Sequence, residues 1–192
     1  MMRRIERENT GLLQAGQDLV VAGYAGLAGT VKLAEAAKEE LSRWFSDEYM
    51  EEIADAAPLC PVSPEFWRSC GAAEWEPAGE GGILTAIWNL TGAYETGVKF
   101  YLRQIPMRQE TVEVCERLEL NPYRLYSRGC VLLTADNGGQ LVRILAEKHI
   151  PAQVIGRVNK GIAREMIVQE GRGFLERPQP DEITKVIPGF FK

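Results

Sequence analysis

Gly81-Gly82-Ile83-Leu84-Thr85-Ala86-Ile87-Trp88-Asn89-Leu90-Thr91-Gly92-Ala93-Tyr94, with Val98-Lys99-Phe100-Tyr101-Leu102-Arg103 close behind it, is the stretch on which the fold turns. Ile83, Ile87, Leu90 and Tyr94 recur at helical spacing, and Leu84, Trp88 and Thr91 widen their face, which predicts a helix with a broad buried side. In the second segment Val98, Phe100 and Leu102 alternate with Lys99, Tyr101 and Arg103. A period of two predicts a half-buried strand.

The same two periods recur outward from this unit. Downstream, Val112, Cys115 and Leu118 mark a helix stopped by Asn121-Pro122, and the unbroken apolar run Cys130 to Thr134 suits a central strand. Leu141, Ile144 and Leu145 give another helix and Ala152 to Val158 another strand. Ala163 to Gln169 and Gly173 to Glu176, divided at Gly171, read as a hairpin. Upstream, residues 71–82 read as a connecting loop and Ser63-Pro64-Glu65 as the start of a short helix, with proline where no donor is missed. Ser46 before Asp47 and Glu48 caps a helix that Pro58 and Pro61 end. Leu33, Ala37, Leu41 and Trp44 or Phe45 share one helical face, with core packing expected for both aromatics. Gln17 to Gly23 is a strand, broken by Gly26, Gly29 and Thr30. Residues 1–16 form a short polar arm, and 17–192 form one α/β (α+β) domain with a mixed sheet.

Composition agrees with that reading. The chain has 192 residues, 45% of them hydrophobic, and 22 basic against 27 acidic side chains give a formal charge of −5. Disorder and fibrous repeats are excluded. With no basic block, neither nucleic acid nor an anionic membrane is an expected partner. The longest uncharged stretch, Leu19 to Val31, falls short of the about 20 apolar residues that a spanning helix needs. Met1 to Glu8 carries mixed charge with no apolar run behind it, so a cytoplasmic location is expected. Cys60, Cys70, Cys115 and Cys130 lack CxxC spacing and are expected to be reduced, without zinc; Cys115 and Cys130 sit in apolar stretches as small hydrophobes do. His149, the only histidine, is expected solvated at a helix end.

Four segments, in order, carry a family resemblance: Glu80 to Trp88; Ile105-Pro106-Met107-Arg108-Gln109-Glu110-Thr111; Asn121-Pro122-Tyr123-Arg124-Leu125 running into Ser127-Arg128-Gly129-Cys130-Val131-Leu132-Leu133; and Ala152-Gln153-Val154-Ile155-Gly156-Arg157-Val158. Together they resemble the carboxy-terminal domain of the aminoimidazole ribonucleotide (AIR) synthetase, or PurM, superfamily. Within it the HypE-like hydrogenase-maturation branch is nearest, and thiamine monophosphate kinase and selenophosphate synthetase are relatives. Gly26-Leu27-Ala28-Gly29-Thr30 is similar to the family's opening of this half. The resemblance covers residues 17–192 and implies a three-layer α/β/α sandwich, partly ferredoxin-like. It also implies a preceding ATP-binding domain with acidic metal ligands, which sixteen residues cannot build. ATP and magnesium are therefore expected only if another chain supplies that half, and no other cofactor is expected.

Two departures bear on chemistry. Where the resemblance implies a His-Asp-x-Thr segment, this chain has Glu76-Pro77-Ala78-Gly79-Glu80, so Pro77 stands in place of the Asp. The branch's terminal reactive cysteine is also missing, since the sequence closes Ile187-Pro188-Gly189-Phe190-Phe191-Lys192. Activity of the chain by itself is not expected, and no catalytic or metal residue is assigned.

One anion site is the candidate that remains: Glu80, Gly81 and Gly82 at a helix start, where bare N–H groups favour a phosphate or carboxylate, facing Ser127, Arg128 and Gly129 before the central strand. Against it, glycines also serve turns, Glu80 can fill the positive end itself, and Arg128 suits a solvated turn. Glu110 reads as a first-turn carboxylate behind Arg108, and Gln109 as a surface side chain. Arg157 is expected to pair with an acidic neighbour, and Asp136-Asn137-Gly138-Gly139 to be a capped turn. Phe190 and Phe191 are left open between core and partner surface. Three functions follow: a non-catalytic or phosphate- or nucleotide-binding homologue of the family's second half; an enzyme subunit completed in trans by a separate ATP-binding chain; or an interaction scaffold. A homodimer or that separate subunit would be the partner, and a small anion the ligand.

Overall fold

The computed structural model describes residues 12–56 and 63–192. Along the chain run β1 (Asp18–Ala22), α1 (Leu27–Ala36), α2 (Lys38–Leu41), α3 (Asp47–Asp55), α4 (Pro64–Ser69), β2 (Glu74–Pro77), α5 (Gly82–Ala93), β3 (Gly97–Tyr101), α6 (Gln109–Arg117), β4 (Val131–Ala135), α7 (Gly138–Glu147), β5 (Ala152–Asn159), β6 (Arg164–Val168) and β7 (Gly171–Phe174). The strands form one mixed sheet in the order β2-β4-β1-β5-β3-β6-β7. All neighbours are antiparallel except β3 and β6, whose register places Phe100 beside Met166.

The sheet is covered on both faces. Leu19 and Val21 of β1 point to one side, where Ile83, Ile87 and Leu90 of α5 meet Val98, Phe100, Leu132 and Ile155. Val20 and Ala22 point to the other, against Trp67 of α4 and Leu141 and Leu145 of α7. These are the layers of an α/β/α sandwich. A third cluster joins α1, α2, α3 and α6 through Leu33, Leu41, Met50, Ile53 and Val114, and closes with Ile183, Val186, Ile187 and Phe190 from the carboxy-terminal segment. No helix among the described residues is long and apolar enough to cross a membrane.

Most expected elements are present, and four readings need correction. The loop expected over 71–82 contains β2, an edge strand whose acidic residues hide its alternation; Glu74 turns inward and accepts from the Tyr94 hydroxyl. Trp44 is 61% exposed instead of packed, because the helix breaks at Ala37 and shifts the later face. Its ring instead takes the Arg117 guanidinium, 4.3 Å from the centroid, while Phe45 does pack inward beside Tyr49. On α6, Val112 is exposed, and the buried side is Thr111, Val114 and Cys115. Leu102 to Gln104 turn into a 3₁₀ helix and do not continue β3.

Leu13 packs into the α5-side core and the Gly16 N–H donates to the Val158 carbonyl at 2.8 Å, so the segment just ahead of β1 lies on the sheet. Residues 1–11, Cys60 and the helix-ending Pro58 and Pro61 fall outside the described residues; α3 closes at Asp55. Ser46 and Ser63 cap α3 and α4 as read. Cys70, Cys115 and Cys130 are buried, and burial pushes the Cys115 thiol up to about 12.

Gly156 sits where β1 and β5 shift register, and a Cβ there would lie 2.1 Å from the Lys99 carbonyl oxygen. Backbone cannot yield as a side chain does. Gly156→Ala is expected to destabilise by about 2–3 kcal/mol. Gly79→Ala, whose Cβ meets nothing within 4 Å, is expected to be neutral or slightly stabilising. Urea unfolding of the two variants checks both.

Candidate functional site

The two segments that the sequence singled out do come together. Gly81, at φ 76°, caps α5, and a Cβ on Gly82 would sit 2.5 Å from the Tyr123 carbonyl oxygen, so the 123–125 loop crosses directly over the helix start. The Ser127 N–H donates to the Gly79 carbonyl at 3.2 Å and locks the two loops. The buried Ser127 hydroxyl accepts from the Gly26 N–H at 2.8 Å and donates to the Leu125 carbonyl at 2.7 Å, so it is spent on holding three loops. Glu80 and Arg128 are both exposed, and Gly129 takes a positive φ of 87° in the turn into β4.

The Gly81 N–H at the helix start already holds an anion, and it belongs to the chain. One carboxylate oxygen of Asp181 accepts from the Gly81 N–H at 2.6 Å; the other accepts from the Tyr126 N–H at 3.1 Å and the Ile183 N–H at 2.9 Å. Asp181 is 1% exposed. Burial pushes its carboxyl above the ordinary range and Glu80 adds to that, against the pull of the three backbone bonds. Because donors face both oxygens, each has to accept. Beside it, Glu182 accepts from the Asn121 N–H at 3.2 Å and from Lys185 at 2.6 Å. Two adjacent carboxylates thus pin the carboxy-terminal segment across residues 81 and 121–126.

Asp181 was not among the residues drawn from the sequence. Pro178-Gln179-Pro180-Asp181 signals a capped turn, which is present through the Ile183 bond, but nothing local ties it to a glycine one hundred positions away. The other candidates have settled internal partners. Arg108 is bonded to Glu110 and holds that buried carboxyl below its ordinary range; Gln109 is exposed and donates to Glu113. Arg157 pairs with Asp18 at 3.1 Å, and the second Asp18 oxygen takes the Gly138 N–H at 2.9 Å. Asn137 caps α7 through the Gln140 N–H, and His149 is exposed just past that helix. Phe190 and Phe191 stack edge-on with each other and with Tyr126. Among the described residues, no three His, Cys, Asp or Glu side chains are grouped so as to hold a metal ion.

The model of the AIR synthase related protein C-terminal domain matches residues 14–169. The chain belongs to this family. A hydrogenase expression/formation protein homologue of Methanocaldococcus jannaschii is 24% identical over 182 residues, covering 91% of this chain and 52% of its own length. E. coli HypE, a hydrogenase maturation protein, superposes with a TM-score of 0.71 at 18% identity, over 92% of this chain and 55% of its own. HypE solved in complex with ATP gives 0.65 at 16% identity, over 88% of this chain and 53% of its own. The chain therefore spans about half the length of these relatives, and at such identities the structural likeness shows the fold. Within this AIR synthase-related domain Pro77 is the exposed last residue of β2, with no carboxylate to offer.

Asp181→Ala is expected to cost about 3 kcal/mol, because three N–H groups, two of them buried, lose their acceptor. Asp181→Asn is expected to cost about half as much, since either amide orientation turns an NH₂ group toward an N–H donor. Both values are read from urea unfolding.

Proposed function

We propose that this chain is a non-catalytic member of the AIR synthase-related C-terminal domain family, built to be stable and to be recognised rather than to turn over a nucleotide. The observation that carries this reading is the Asp181 carboxylate at the start of α5. The Gly81 N–H at the helix start is bonded to the chain's own carboxylate at 2.6 Å, which the Tyr126 and Ile183 N–H groups also hold at 3.1 and 2.9 Å, and Ser127 is equally committed. An incoming phosphate would have to displace a buried group that closes the third hydrophobic cluster. Pro77, which stands where the resemblance implies an Asp, points the same way. A second reading keeps one supporting observation: the chain spans about half of its relatives, one of which was solved with ATP. A separately encoded ATP-binding chain would then complete it.

The purified chain is expected to show no magnesium-dependent ATP hydrolysis above background, because phosphoryl transfer needs metal-bridged phosphates and among the described residues no His, Cys, Asp or Glu cluster is grouped to hold a metal. Titration calorimetry with ATP, phosphate and sulfate is expected to show no saturable heat. Turnover that survives further purification would overturn the proposal. Turnover that arises only on mixing with a separately expressed ATP-binding half would favour the second reading.

A further inference from the structure

We draw no further inference here: the strongest candidate, the open face of the sheet on which Lys99 and Tyr101 of β3 share a side with Phe174 of β7, Tyr101 being 42% and Phe174 61% exposed, carries nothing because nothing in the structure shows what covers it.

Discussion

Everything in this molecule depends on a five-residue strand being dry on both sides. β1 is flanked by antiparallel partners, its odd residues Leu19 and Val21 enter one core, and Val20 and Ala22 enter the other. No residue of Leu19 to Ala22 keeps any exposed surface. A strand so placed fixes the thickness of the sandwich and lets α5 and α7 lie on opposite faces without touching. Its two ends are anchored differently: Asp18 joins Arg157 and the start of α7, and the Gly23 N–H bonds the Pro151 carbonyl at 2.8 Å.

A second theme is that helix starts are served from a distance. The first N–H groups of a helix have no partner inside it and attract negative charge. In α7 the acceptors are Asn137, local, and Asp18, from the first strand. At α5 the acceptor is Asp181, from the other end of the sequence. A residue pattern that reads as a ligand cradle therefore describes the same physics as an internal clasp, and only the tertiary partner separates the two.

Legibility in the sequence followed the range of the interactions involved. α5, β3, β4, α7, β5 and the β6–β7 hairpin were readable because their periods are local and their apolar faces clear. β2 was not, since an edge strand needs only one apolar side and Glu74 and Glu76 mimic a loop. Trp44 was misplaced because a single break at Ala37 rotates everything after it, which no spacing rule registers. The meeting of Gly81-Gly82 with the Ser127 loop was legible through the family's order of segments. Asp181 was not, because its role exists only after the chain has folded back across a span of one hundred residues.

That long return has a consequence for how the protein is made. Leu33, Leu41, Met50 and Ile53 emerge from the ribosome early, yet the cluster they belong to is sealed by Ile183, Val186, Ile187 and Phe190. Until those residues are synthesised, an amphipathic helical pair waits with its apolar side uncovered. The sheet imposes a similar delay, because β1 pairs with β4 and β5 and not with its neighbours in sequence. Contacts of such high order slow folding and lengthen the exposure of sticky surface. The nascent chain thus carries uncovered apolar surface until its last residues arrive to close over it.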